Sequence, residues 1–105
     1  MQTNHRVYET QDVAYDAVGP TMRNGEIAEA VIEAVAHDNP DQDVYVTDRG
    51  DYLHIHTLME CRLTRDSLQR SLGRSYELPM LEMEMPSFSG RMQTSDSEYR
   101  WYFKS

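Results

Sequence analysis

The stretch NGEIAEAVIEAVAHDNP, residues Asn24–Pro40, decides the fold prediction because it contains the clearest helix in the chain. Its apolar residues recur at spacings of three and four, which is the pattern of an amphipathic helix with one buried face. They are Ile27, Ala30, Val31, Ala34 and Val35. Asn24 is placed to cap the helix. Asn39-Pro40 ends it, because proline disfavours helical geometry in the residue before it.

Amphipathic strands are predicted after this helix. DVYVT, DRGD and YLHIH together indicate a hairpin with Gly50 in its loop. From Leu53 to Leu63 the odd positions are mostly apolar, whereas the even positions include His54 and His56. Successive side chains of a strand point to opposite faces. The pattern therefore predicts one long bent strand, or two consecutive strands, with the histidines on the solvent face.

A second helix and further strands are predicted in the remaining sequence. Thr64 caps a short helix that carries Leu68 and closes at Gly73. The alternation of Leu81, Met83 and Met85 predicts a strand that breaks at Pro86 into a Ser-Phe-Ser-Gly turn. EYRWYFK alternates as a half-buried terminal strand does. The element order is strand, helix, two or three strands, helix, two or three strands.

The length of 105 residues suits one domain with a single modest core. Residues 1–17 are polar and lack a sustained period, so we expect a flexible N-terminal tail ahead of a domain over residues 18–105. Pro20 restricts the first strand of that domain to a short or edge position. The predicted fold class is α+β, a compact single domain with an antiparallel sheet packed against two helices.

Composition excludes some classes of partner. A net charge of -8 disfavours binding to a phosphate backbone, so no nucleic-acid partner is expected. No uninterrupted apolar run exceeds three residues, and no membrane span is expected. A single cysteine, Cys61, fits a reducing, cytoplasmic compartment. Four arginines between Arg62 and Arg74 form either a docking patch for an acidic partner or a solvated helix face.

The candidate chemical groups do not assemble into a catalytic set. His54 and His56 leave a strand on the same side, as a zinc or copper site requires, but a third ligand is missing because Cys61 points to the opposite face. Cys61 is expected to be a buried thiol rather than a nucleophile. No phosphate-binding glycine loop occurs. We therefore predict no catalytic, metal or cofactor residues, with a small metal-dependent enzyme built on the two histidines as the alternative.

An interaction surface is the remaining candidate. Phe88 lies between two serines at a predicted loop tip, where an exposed aromatic side chain is suited to anchor an interface. Methionines surround this turn, and their flexible side chains suit either adaptable contacts or core filling. They are Met80, Met83, Met85 and Met92. The residues alone thus indicate an acidic interaction domain, either specialised or a generic adaptor.

Five short motifs give the chain a family resemblance. They are Val18-Gly19-Pro20, Asp38-Asn39-Pro40, Leu63-Thr64-Arg65, Leu72-Gly73-Arg74 and Ser87-Phe88-Ser89-Gly90. With them, residues 18–103 resemble the small coupling, or effector, proteins of bacterial soluble diiron monooxygenases. This family includes the regulatory components of methane, phenol, toluene and alkene monooxygenases.

The resemblance implies a β-α-β-β-α-β-β order and a regulatory protein without a cofactor or an active site of its own. It implies binding to the diiron hydroxylase component near the buried metal centre, and coupling of NADH consumption to oxidation of a hydrocarbon, an alkene or a monocyclic aromatic. The resemblance further implies that a reductase and a ferredoxin are functionally linked partners. We expect the free protein to be a cytoplasmic monomer.

The resemblance also implies where the partner binds. The loop facing the hydroxylase corresponds to Ser87, Phe88, Ser89, Gly90 and Arg91. Met83 and Met85 are expected to support it, and the first helix is a second contact region. The chain departs from relatives at Met59, where a small residue is expected in the bend after the third strand. Its tail is shorter than in the methane-oxidising branch.

Overall fold

The computed structural model of the chain describes residues 6–104. Its elements are β1 (Val7–Glu9), β2 (Ala17–Arg23), α1 (Glu26–Asp38), β3 (Val44–Asp48), β4 (Tyr52–Leu58), β5 (Glu60–Thr64), α2 (Arg65–Leu72), a 3-10 helix (Leu78–Met83), β6 (Ser87–Ser89), β7 (Arg91–Thr94) and β8 (Glu98–Tyr102). The predicted α+β class, with two α-helices packed against sheet, is confirmed.

The strands form two sheets. The larger has the order β1-β3-β4-β2-β6, and the smaller has the order β5-β8-β7. All pairs are antiparallel as predicted, apart from β1, which runs parallel to β3. Helix α1 contacts β2, β3, β5 and α2, so its apolar face closes a core between the sheets and the helices.

Met59 separates β4 from β5 and sends the chain from the larger sheet to the smaller one. Its backbone is left-handed, with a φ of 73°. Its N–H donates to the carbonyl of Asp16 at 3.0 Å, and its own carbonyl accepts from the N–H of Phe103 at 2.8 Å. Of the two predicted alternatives, the structure shows two consecutive strands.

Helix α1 begins differently from the prediction. Its N-cap is Gly25, and no side chain caps it. The side chain of Asn24 instead donates to the carbonyl of Gly50 in the β3–β4 loop, at 2.9 Å. The amide of Asn24 is therefore bound to the β3–β4 loop and is not free to cap the helix. This long-range contact cannot be read from the sequence pattern around the helix.

A carboxylate joins the end of α1 to the start of α2. Asp38 accepts hydrogen bonds from the backbone N–H of Thr64 at 2.7 Å, from the Thr64 hydroxyl at 3.0 Å and from the Ser67 hydroxyl at 2.6 Å. The hydroxyl oxygen of Thr64 in turn accepts from the N–H of Ser67 at 3.2 Å. The predicted cap of α2 at Thr64 is confirmed.

Strand β2 has seven residues and lies inside the larger sheet, between β4 and β6, although Pro20 predicted a short or edge strand. The neighbour on the proline side is the three-residue strand β6, which pairs Phe88 with Pro20. Gly19 is required on the other side, because a Cβ there would lie 2.1 Å from the carbonyl oxygen of Ile55 in β4.

Residues 6–9 of the predicted flexible tail contact the rest of the protein. Val7–Glu9 pair with β3. The guanidinium of Arg6 donates to the carbonyl of Ala36 in the last turn of α1, at 3.0 Å, and to that of Gln42 in the loop before β3. These contacts link positions more than 29 apart in sequence, so local periodicity cannot show them. Residues 1–5 of the predicted tail lie outside the described residues.

The predicted strand over Leu81–Met85 is wrong, because this segment begins as a 3-10 helix with Pro79 near its start. Leu81 and Met85 are buried, while Met83 points outward. A helical turn and an alternating strand give the same sequence pattern over so few residues. The predicted Ser-Phe-Ser turn is in fact strand β6, and the turn lies at Gly90.

Candidate partner-binding surface

Strand β6 presents the predicted contact residues at an edge of the larger sheet. Phe88 is 44% exposed even though it lies in a strand. Ser87, Gly90 and Arg91 are exposed, and Ser89 is half-buried. The predicted exposure of Phe88 is confirmed, and its binding role stays a prediction.

Gly90 fixes the position of this edge relative to both sheets. Its φ is 93°, a conformation that favours glycine. A Cβ at Gly90 would lie 2.6 Å from Cγ1 of Val18 in β2 and 2.8 Å from the carbonyl oxygen of Tyr102 in β8. The chain therefore passes closely over both strands as it leaves β6, which holds the neighbouring exposed residues in place.

The two methionines predicted to support this edge differ in environment. Met85 is buried in the core, as a supporting residue should be. Met83 is 80% exposed, so the expectation that it lies behind the loop is wrong. The 3-10 helix turns Leu81 inward and Met83 outward. Met83 is thus available as a contact residue rather than as a support.

His54 and His56 are buried, which corrects the prediction that they face solvent. Nε2 of His54 lies 3.1 Å from the Ser89 hydroxyl in β6, and Nε2 of His56 lies 3.2 Å from the Thr47 hydroxyl in β3. Thr10, Asp12, Val13 and Ala14 also line a groove beside His56. The alternation rule failed because the Ser89 side chain and this N-terminal segment lie over the histidine side of the sheet.

The geometry gives the two histidines a structural role. Their rings stack with centroids 4.6 Å apart and 21° between planes, and each Nε2 lies within hydrogen-bond distance of a different hydroxyl. Burial lowers the pKa of His54, and burial together with the neighbouring His54 lowers the pKa of His56 to about 4. Within residues 6–104, no group of three or more His, Cys, Asp or Glu side chains is placed to hold a metal.

Cys61 and the arginines are also placed by the structure. Cys61 is fully buried, which confirms the predicted buried thiol, and burial raises its pKa to about 12.

Of the clustered arginines, Arg62, Arg65 and Arg74 form ion pairs with Glu98, Glu77 and Glu26. These pairs favour the solvated-face interpretation. No helix in the described part of the chain is long and apolar enough to cross a membrane.

Sequence reasoning missed an exposed apolar group near Gly90. Tyr15 is 88% exposed and Met59 is 53% exposed. Tyr15 packs edge-on against Phe103. The only signal in the sequence was the presence of Met59 where a small residue is expected.

Comparison with known proteins places the chain among monooxygenase components. Residues 16–102 match the MmoB/DmpM family. The effector subunit of the alkene monooxygenase system of Xanthobacter autotrophicus (strain ATCC BAA-1158 / Py2) is 55% identical over 94 residues, which cover 90% of this chain and 93% of that protein.

Solved structures share the fold at lower identity. A chain of a phenol hydroxylase–regulatory protein complex superposes with a TM-score of 0.72 at 18% identity, covering 84% of this chain and 99% of its own. The soluble methane monooxygenase regulatory protein B superposes with a TM-score of 0.62 at 20% identity, covering 85% of this chain and 66% of its own. The fold, the family match and the 55% identical relative agree, and the chain belongs to the MmoB/DmpM family.

Proposed function

We propose that this chain is the non-catalytic effector subunit of a multicomponent diiron monooxygenase that oxidises a hydrocarbon with NADH and O2. The observation that carries the proposal is its 55% identity to an alkene monooxygenase effector subunit over 93% of that protein. An alkene is therefore the favoured substrate of the system, ahead of a monocyclic aromatic. Substrate oxidation takes place in the hydroxylase component.

The effector acts by binding one hydroxylase conformation more tightly than another. A binding partner shifts a conformational equilibrium only by its difference in affinity for the two states. A difference of about 2.7 kcal/mol changes the population ratio about a hundredfold. This mechanism needs no cofactor on the effector, and the buried thiol and buried histidines are consistent with that.

The edge formed by β6 and Gly90 is the proposed contact with the hydroxylase. Phe88 supplies an exposed aromatic side chain, and Arg91 supplies an exposed cation at the same edge. Aromatic and arginine side chains are enriched among the residues that dominate binding energy. Ser87, Ser89 and Gly90 complete the contact, with exposed Met83 beside it in sequence and Met85 as core support. Helix α1 is the second contact region.

The cellular setting follows from the same proposal. The reductase and ferredoxin deliver electrons to the hydroxylase, so they are linked to the effector functionally. Cys61 is buried and unpaired, which suits a cytoplasmic protein that is a monomer when free.

Reconstitution tests the proposal. The purified chain is titrated into the hydroxylase, reductase and ferredoxin of the same system, and the rate of product formation is measured. We expect the rate to rise and to saturate near stoichiometry with the hydroxylase active sites. A generic adaptor would leave the rate unchanged. A metal-dependent enzyme would instead contain stoichiometric metal and act without the hydroxylase.

A further inference from the structure

Tyr15 is a nearly fully exposed aromatic residue in a fixed position. Its side chain is 88% exposed, yet its ring lies against Phe103 with centroids 5.7 Å apart and an angle of 85° between planes. Edge-to-face packing of this kind is favourable. The chain on either side is held by the N–H of Ala17, which donates to the carbonyl of Ala14 at 3.1 Å.

Met59 holds the two segments that carry these rings. Its backbone bonds to Asp16, next to Tyr15, and to Phe103 itself. It is the only residue other than glycine with a positive φ among residues 6–104, and its apolar side chain is 53% exposed. A left-handed backbone is unfavourable for a residue with a long side chain, and such strain concentrates at functional sites.

A notch connects Tyr15 and Phe103 to the proposed hydroxylase contact. Its volume is about 320 Å³. The residues that line it include Val13, Tyr15, Phe103, Gly90, Arg91 and Lys104. The notch therefore extends from Tyr15 to the Gly90 end of β6.

The charges at the notch are unusual for this protein. Among the described residues, Arg91 and Lys104 are the only charged ones that line the notch, although the chain as a whole has a net charge of -8. Neither forms an ion pair with another side chain of the described residues, in contrast to Arg62, Arg65 and Arg74. An occupant with a carboxylate would complement this rim.

We propose that the notch beside Tyr15 docks a segment of the hydroxylase that presents an apolar side chain next to a carboxylate. The apolar side chain packs against Val13, Tyr15 and Phe103, and the carboxylate pairs with Lys104 and Arg91. This inference rests on the proposed effector function and names a second anchor for the same partner.

Tyr15→Ala is the sharpest test, because Tyr15 lines the notch and is 88% exposed. We expect its affinity for the hydroxylase to fall about tenfold without loss of stability. Met59→Gly removes an exposed apolar side chain that does not line the notch, so its affinity should stay near the wild-type value. Tyr52→Ala, at the opposite end of β4, is the matched control and should bind as the wild type does.

A charge reversal tests the carboxylate. Lys104→Glu should weaken hydroxylase binding about tenfold at low salt and less at high salt. Arg49→Glu, in the β3–β4 loop, produces the same change in net charge at an exposed position outside the notch. It should leave affinity near the wild-type value, which separates local pairing from long-range repulsion.

Binding of each variant to the purified hydroxylase component is measured by titration calorimetry, with sedimentation of the free chain alongside. If the wild type binds but Tyr15→Ala and Lys104→Glu bind equally well, the docking site is wrong and the effector function stands. If the wild type does not bind, the effector function fails. If Tyr15→Ala abolishes a dimer of the free chain without changing hydroxylase affinity, a second copy occupies the notch and the inference is overturned.

Discussion

At the scale of single residues, Phe88 and Tyr8 form a natural pair for comparison. They lie on β6 and β1, the two opposite edges of the larger sheet, and are 44% and 47% exposed. Truncation of either side chain removes a similar exposed aromatic surface from an edge strand. Differences between the two variants therefore report on location rather than on lost side-chain bulk.

Phe88→Ala should raise the effector concentration needed for half-maximal activation about tenfold, because an exposed aromatic anchor would be lost from the contact. Its urea unfolding midpoint should stay near that of the wild type, since the side chain is partly solvated. Tyr8→Ala is the control and should activate normally. Wild-type activation by Phe88→Ala would exclude β6 as an anchor.

The buried histidines predict a dependence of stability on pH. His56 takes up a proton near pH 6.5 in the unfolded chain but only near pH 4 in the folded protein, so the unfolded state binds more protons in this window. The free energy of unfolding should therefore fall as pH decreases from about 6.5 to about 4, by up to about 1.4 kcal/mol per pH unit for this residue.

The measurement is urea unfolding at several pH values. His56→Gln should reduce the slope in that window, whereas His37→Gln, at an exposed position, removes one histidine without removing this effect. An unchanged slope in His56→Gln would show that His56 is not the group responsible.

The sequence predicted burial and exposure correctly for residues whose surroundings depend mainly on their own segment of the chain. Cys61 is buried and Phe88 is exposed, as the patterns predicted. His54 and His56 were placed wrongly because alternation assumes that one face of a sheet meets water. Here residues distant in sequence, Ser89 and the segment around Thr10, cover that face.

At the scale of elements, the junction between α1 and α2 depends on one carboxylate. Asp38→Ala would leave three donors of Thr64 and Ser67 without their acceptor. We expect it to lower the free energy of unfolding by about 2–3 kcal/mol, against about 1 kcal/mol for Thr64→Ala, which removes a cap. Asp41→Ala, at an exposed position, should change it by less than about 0.5 kcal/mol.

Urea unfolding of the three variants measures these differences. An Asp38→Ala variant as stable as Asp41→Ala would contradict the role of this carboxylate in joining the helices.

Elements with strong local signals were predicted, and those held by distant contacts were not. Helix α1, the cap and C-terminal glycine of α2, and the alternating strand β8 carry their own patterns. Strand β1 forms only because β3 is available as a parallel partner. The 3-10 helix at Leu78–Met83 is too short for periodicity to distinguish it from a strand.

At the scale of the whole molecule, the division into two sheets depends on Met59 and Gly90. Met59 moves the chain from β4 into β5, and Gly90 lies against backbone or side-chain atoms of both sheets. The sequence predicted a bend after the third strand but not that it separates two sheets. The bend also brings Tyr15, Phe103 and β6 together, so the notch lies next to the proposed contact at the β6 edge.

The ratio of product formed to NADH consumed tests the effector function most directly. The measurement follows this ratio while the chain is titrated into its hydroxylase, reductase and ferredoxin with an alkene substrate. The ratio should rise from a low value and level off near stoichiometry with the hydroxylase active sites, because the bound effector favours the conformation that oxidises substrate. A ratio that stays constant across the titration, with a folded chain and an active hydroxylase, would contradict the proposed function.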